Sequence, residues 1–179
     1  MKKTVWTFGL ISGAILSAMM LATMPFQDRI GDKGEVVGYT TMVLSFLLIY
    51  FGVRSYRDLT GGNLSFGRAL AVGLMITAVS SACYVATWEI MYYSKLAPDF
   101  LAQYQAQTIE KAKAGGASQA DIDKKLADMK KWAELYKNPI INSAITFLEP
   151  LPVGVVIALV TAGVLRTRRR KEEESLAVA

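Results

Sequence analysis

The charged residues of this 179-residue chain are gathered between four stretches that are nearly free of charge. Each stretch is about 20 residues long or longer, which is the length an α-helix needs to cross a hydrocarbon core of ~30 Å. Inside such a core the backbone must satisfy its own hydrogen bonds, and a helix does so within one segment. The sequence therefore predicts an all-α fold, a polytopic membrane four-helix bundle, with spans at about 4–24, 36–53, 66–93 and 139–165.

The composition excludes several kinds of chemistry. The chain has no histidine and a single cysteine, Cys83, so the usual zinc, haem and imidazole-based sites and an intrachain disulfide are ruled out. The Gly61-Gly62 pair lacks the lysine and the spacing of a phosphate-binding loop. We therefore expect no enzymatic activity, no cofactor and no bound metal.

The first span has features of a signal peptide, but its apolar run is longer than usual, and Met19 and Met20 crowd the position where cleavage would occur. We expect a retained helix. Its Gly9, Gly13 and Ser17 recur every four residues, so they form one stripe along which another helix backbone can approach closely.

The turns and helix ends carry recognisable signals. Gly61 and Gly62 allow a sharp reversal, and Ser65 is placed to cap the third span. Asn138 followed by Pro139 is typical of the start of a helix, and this pair precedes the last span.

Residues 95–138 differ from the rest, because charges of both signs recur every few positions. Two apolar stripes at helical spacing are separated by Gly115 and Gly116, and Ser118 with Asp121 forms a capping signal for the second stripe. This pattern predicts an extramembrane helical hairpin inserted between the third and fourth spans. Its apolar faces must pack on each other, on the membrane surface or on a partner, which would be a second copy or another membrane protein.

Lysine and arginine flank the spans unevenly. The amino terminus, the loop after the second span and the tail at 166–179 are basic, whereas the first loop is not. The positive-inside rule then places both termini in the cytoplasm and the hairpin on the opposite side. The net charge of +5 therefore reflects topology in the lipid bilayer, and we expect no nucleic-acid binding. Four residues of the second loop are candidates for lipid headgroup binding or for a structural role: Arg54, Arg57, Asp58 and Arg68.

Two carboxylates lie inside predicted spans, and such groups are functional candidates because burying a charge in lipid is costly. Glu89 lies about 30 Å and Glu149 about 25 Å from the cytoplasmic edge, at 1.5 Å per residue. If they share a face, the pair could hold a proton or a cation. The plainer interpretation is that each reaches the interface or bonds a neighbour such as Asn142, Ser143 or Tyr92.

Two prolines follow Glu149 directly, Pro150 and Pro152. Each removes a backbone donor and frees carbonyl groups in the preceding turn. The sequence therefore predicts a kink or a short unwound stretch in the last span.

Six short motifs are distributed along the chain: Arg57-Asp58, Gly61-Gly62, Ser65-Phe66-Gly67, Gly73, Pro98-Asp99-Phe100 and Phe147-Leu148-Glu149. This set resembles the bacterial membrane family called domain of unknown function 4199. The resemblance extends over nearly the whole chain and is most specific in the second loop and the start of the third span. It implies a bacterial inner-membrane protein, and it implies no activity and no catalytic residue.

We expect a structural or interaction component of the bacterial envelope that acts by binding. The alternative is a small transporter or a proton- or cation-binding membrane protein that uses Glu149 and Glu89. A membrane-embedded enzyme ranks third, because two carboxylates lack the additional ligands of a metal site.

Overall fold

The computed structural model describes residues 1–23, 33–94 and 100–167. Within these ranges the chain is helical and contains no strand. The helices are α1 (Lys2–Thr23), α2 (Gly34–Leu59), α3 (Phe66–Tyr93), α4 (Phe100–Ala114), α5 (Gln119–Tyr136), α6 (Pro139–Leu148) and α7 (Leu151–Leu165). The predicted all-α class is confirmed.

Four helical stretches are long and apolar enough to cross a membrane: α1, α2, α3, and α6 together with α7. Between α3 and the last of these stretches lies the predicted hairpin, formed by α4 and α5, which contact each other. Helix α2 continues beyond Val53, where its apolar run ends, and reaches Leu59. The helix ends just before the Gly61-Gly62 turn. The glycines therefore determine where it ends, and Arg54 and Arg57 lie within it.

Helix α3 is the longest of the described helices and contacts α1, α2 and α7, while α2 also contacts α1 and α7. We call the end of the bundle with the α2–α3 turn the turn end, and the opposite end, where α5 leads into α6, the hairpin end. The largest fully buried apolar side chains include Phe46, Ile49 and Ile76.

Small residues bring the helix backbones close together. A Cβ added at Gly9 would lie 2.7 Å from Val79 Cβ, and one added at Gly13 would lie 2.6 Å from Cys83 Cβ. The predicted close approach along this stripe of α1 is thus confirmed, and its partner is α3. Gly73 of α3 similarly faces Ala158 of α7.

Hydroxyl groups bond between or within the packed helices. Ser12 and Ser45 donate to each other's backbone carbonyl oxygens at 3.1 and 2.7 Å, which joins α1 to α2. Ser80 Oγ lies 3.0 Å from the carbonyl oxygen of Gly9 and joins α3 to α1. Side chains such as Leu44 and Val160 are instead exposed at the outer surface of the bundle. Small polar residues inside and large apolar residues outside are typical of helices packed in lipid.

The predicted helix starts are confirmed. Ser65 Oγ accepts from the backbone N–H of Arg68, Ser118 Oγ accepts from that of Asp121, and Asn138 Oδ1 accepts from that of Ile140. Gly61 and Gly62 have φ angles of 73° and 83°, which L side chains rarely adopt, so these two glycines make the reversal between α2 and α3 possible.

Thr167, which follows α7, connects the α2–α3 turn to the end of that helix by hydrogen bonds. The Leu64 N–H donates to Thr167 Oγ1 at 2.9 Å, the Thr167 N–H donates to the Leu64 carbonyl at 2.8 Å, and Thr167 Oγ1 donates to the Gly62 carbonyl at 2.9 Å. This three-bond contact connects parts of the chain that are about a hundred residues apart in sequence.

Three predictions fall outside the described residues. They concern the first loop, the Pro98-Asp99 motif and the basic tail beyond Thr167.

Candidate functional site

The hairpin end of the bundle contains a cluster of polar side chains where α3 faces α6. Ser143 Oγ donates to Glu89 Oε1 at 2.9 Å, and Trp88 Nε1 donates to Asn142 Oδ1 at 2.9 Å. Trp88 and Asn142 are buried, whereas Glu89 and Ser143 are half-buried. Neighbouring residues of each helix thus form two parallel bonds across the interface.

Asn142 is the innermost member of this polar cluster and is fully buried. Its Oδ1 also accepts a hydrogen bond from Thr146 at 3.3 Å, but its Nδ2 has no partner within the described ranges. A buried donor without a partner costs about 1–3 kcal/mol. Trp88 and Thr146 therefore hold the amide oxygen in place, while the cost of a missing partner falls on the amide nitrogen.

The second carboxylate lies where the last apolar stretch is broken. Helix α6 ends at Leu148 and α7 begins at Leu151, so Glu149 and Pro150 form the break. Pro150 cannot donate a backbone hydrogen bond, and neither can Pro152 in the first turn of α7. The two prolines account for the division of this helix.

Glu149 is exposed at the surface of the bundle and accepts a hydrogen bond from the Tyr84 hydroxyl, from Oη to Oε2, at 3.1 Å. Tyr84 belongs to α3, so this bond ties the break to the neighbouring helix. The bond supplies a polar partner for a carboxylate within an apolar helical stretch.

The two carboxylates have separate partners at different depths. Tyr84 precedes Glu89 by five residues on α3, which corresponds to about 7.5 Å along the helix axis. On the opposite side, Ser143 precedes Glu149 by six residues, or about 9 Å. Glu89 bonds one of the neighbours that the plainer sequence interpretation named, Ser143. The hypothesis of a shared proton or cation site gains no support from this arrangement.

The hairpin is attached to this end of the bundle through Tyr136, the last residue of α5. The Tyr93 hydroxyl donates to the Tyr136 carbonyl at 3.5 Å, and the rings of Tyr92 and Tyr136 have their centroids 6.5 Å apart. Burial raises the pKa of the Tyr136 phenol, and the negative charge of Glu149 raises it further. Tyr136 therefore stays neutral across the physiological pH range.

At the turn end, the four residues singled out in the second loop are divided between two helices, α2 and α3. Arg57 Nε lies 3.6 Å from Asp58 Oδ1, and both side chains are accessible. Arg54 lies on the last turns of α2, and Arg68 lies in the first turn of α3. An exposed pair such as Arg57 and Asp58 contributes little to stability.

The sequence interpretation named Asn142 as a possible neighbour of the carboxylates, but Asn142 bonds Trp88 and Thr146. Tyr84 and Thr167 were not apparent from the sequence as partners, since an isolated tyrosine or threonine is common in such helices. No group of three histidine, cysteine, aspartate or glutamate residues able to hold a metal occurs in the part of the chain that the structure describes.

These features define an all-α bundle with four helical stretches able to cross a membrane and a helical hairpin between the third and the fourth of them. The chain belongs to the family described as protein of unknown function (DUF4199), whose model matches residues 7–167. The match includes the hairpin and all of the bundle except the first five residues of α1, so it extends over nearly the whole chain, as the resemblance in the sequence predicted. Neither a curated protein nor a solved structure matches the chain.

Proposed function

We propose that this chain is a multi-pass protein of the bacterial inner membrane that acts by binding another protein through its hairpin and catalyses no reaction. Both termini lie in the cytoplasm, and the hairpin lies on the opposite side. This orientation is supported by exposed basic residues at the turn end, among them Lys2, Lys3, Arg54 and Arg68.

The observation that carries the binding proposal is a pair of exposed apolar side chains near the end of α5, Trp132 and Leu135, which we call the second face. Ile122 is buried, and Leu126 and Met129 are half-buried on the side that α5 turns inward. Trp132 and Leu135 lie on another side of the helix and are 53% and 42% exposed. One buried face is enough to hold a hairpin together, so the second face is available for a partner.

The chemistry of this second face suits a protein contact. Tryptophan is enriched at the centres of protein interfaces because its large ring buries much area with few rotatable bonds. The contacts of Tyr136 with Tyr92 and Tyr93 hold the end of α5 on the bundle, so the face has a fixed position. A face that is already ordered loses less entropy on binding.

We expect a photo-crosslinking amino acid at position 132 to form a covalent adduct with another protein in living cells. The same amino acid at Lys130, which is exposed and lies about 160° around α5 from Trp132, serves as the matched control and is expected to give no adduct. The measurement is a gel shift of the tagged chain after irradiation. Co-expression of two differently tagged copies tells a second copy of this chain from another protein.

Equal adducts at both positions, or no protein adduct at position 132, would contradict the proposal. Crosslinking of position 132 to lipid alone would mean that this face of the hairpin lies on the membrane surface. The binding proposal would then be wrong, although the bundle would be unaffected.

A further inference from the structure

A groove runs along the outside of the bundle at the turn end, between α1 and α2. It has a volume of about 750 Å³. Its lining consists of one residue of α1, Phe8, and of residues on one side of α2, namely Leu48, Phe51, Arg54, Ser55, Asp58 and Leu59.

The polarity of this groove changes along its length. Phe8 lies beside Gly52, since a Cβ added there would be 3.1 Å from Phe8 Cβ, and Leu48 and Phe51 complete an apolar portion. Arg54 and Ser55 follow towards the end of α2, with Arg54 about 9 Å along the axis from Leu48. The apolar portion of the groove is thus followed by a guanidinium and a hydroxyl, the order of polarity along a lipid molecule, and Asp58 and Leu59 lie beyond them.

The charges around the polar portion favour an anion. Arg54 forms no ion pair or hydrogen bond with any residue in the described ranges. Asp58 also lines the groove, but Arg57 lies 3.6 Å from its carboxylate and offsets its charge. The charge that remains in the polar portion is therefore the positive charge of Arg54.

We propose that this groove binds an anionic phospholipid. Its phosphate contacts the Arg54 guanidinium and the Ser55 hydroxyl, and one acyl chain lies over Phe8, Leu48 and Phe51. Guanidinium groups bind phosphate through charge-assisted hydrogen bonds, and in a bilayer an open groove at this depth is filled by lipid. The site goes beyond the proposed role of the hairpin, and it depends on the membrane location only.

The test is native mass spectrometry of the detergent-solubilised chain with added lipid. The probes are phosphatidylglycerol and phosphatidylcholine with identical acyl chains. For the wild type we expect phosphatidylglycerol to bind about 5-fold more tightly, because both lipids carry the phosphate but the choline cation cancels its charge, and one basic residue near a net negative lipid contributes about 1 kcal/mol. In Arg54→Gln this preference is expected to disappear.

The control is Arg68→Gln, which removes a basic residue from the same end of the bundle but outside the groove lining. It is expected to keep the preference for phosphatidylglycerol. Glycerol 3-phosphate, which carries the phosphate without acyl chains, is expected not to bind measurably at the same concentrations.

Three results would overturn the proposal: equal binding of the two lipids to the wild type, an unchanged preference in Arg54→Gln, or a loss in Arg68→Gln as large as that in Arg54→Gln. Tight binding of glycerol 3-phosphate would also overturn it, because the site would then be for a free phosphate. None of these results affects the crosslinking at Trp132, so the two proposals fail independently.

Discussion

The Gly154→Leu variant is expected to lose about 3 kcal/mol or more of folding stability, because it forces α7 away from α3. A Cβ at Gly154 would collide with the Thr77 side chain, and a leucine adds three more carbon atoms in the same space. Thr77 is fully buried, so it has no free volume to move into. The contact between Gly73 and Ala158 lies between the same two helices and would be disturbed as well.

The measurement is unfolding of the detergent-solubilised chain by sodium dodecyl sulfate, followed by circular dichroism. Gly163→Leu is the matched control, since Gly163 lies in the same helix, is exposed and has nothing within 4 Å of an added Cβ. It is expected to be at least as stable as the wild type, because leucine favours helix over glycine. Equal stability of the two variants would mean that α3 and α7 do not pack as described.

The second large effect is expected for Ile49→Ala. Ile49 of α2 is fully buried, and its Cγ2 lies 3.2 Å from the position of a Cβ added at Gly73. It fills the space where α2 meets α3 near Ala158 of α7. Removing its outer atoms leaves a cavity that the three helices cannot close, and such cavities cost about 2–5 kcal/mol.

Leu44→Ala in the same helix is the control for Ile49→Ala. Leu44 is 62% exposed and faces outward, where mobile lipid chains fill the space that the substitution leaves. We expect a loss below about 1 kcal/mol for this variant, within the range of surface substitutions. A larger loss for Leu44→Ala than for Ile49→Ala in the same unfolding assay would place the wrong face of α2 inside the bundle.

Much of the local structure could be predicted from the sequence, because each signal acts within one turn of helix. Ser65 and Asn138 cap the helices that they precede, and Gly61 and Gly62 make the reversal that their freedom allows. The division at Pro150 follows from the missing backbone donor. These features require no knowledge of which helices are neighbours.

The rotation of each helix about its own axis could not be predicted in the same way. In a soluble protein the apolar side of a helix marks its buried face, but the helices of the four apolar stretches are apolar nearly all round. The buried face is marked instead by small and hydroxyl-bearing residues such as Gly13, Ser45 and Ser80. Only the stripe on α1 was regular enough to be recognised beforehand.

The contacts of the polar cluster at the hairpin end could not be predicted without knowing the rotation of each helix. The sequence identified both carboxylates and named Ser143 as a possible neighbour. It did not identify Tyr84 as the donor to Glu149, since that contact depends on which side of α3 faces the last apolar stretch and on the break in that stretch. Pairings across helices are set by packing, and one sequence by itself carries little information about them.

In the proposed topology α3 crosses the membrane, with the hairpin on one side and the α2–α3 turn on the other. Labelling of single cysteines with a membrane-impermeant maleimide tests it directly. The native Cys83 is first replaced by alanine, and Asn63→Cys and Ala120→Cys are then introduced separately at exposed positions of the turn and of the hairpin.

In intact spheroplasts, we expect Ala120→Cys to be labelled and Asn63→Cys to be labelled only after lysis. The reverse pattern would keep the crossing but invert the orientation of the chain. Labelling of both positions in intact spheroplasts, or of neither, would mean that α3 does not cross the membrane, because the hairpin and the turn would then lie on the same side of it.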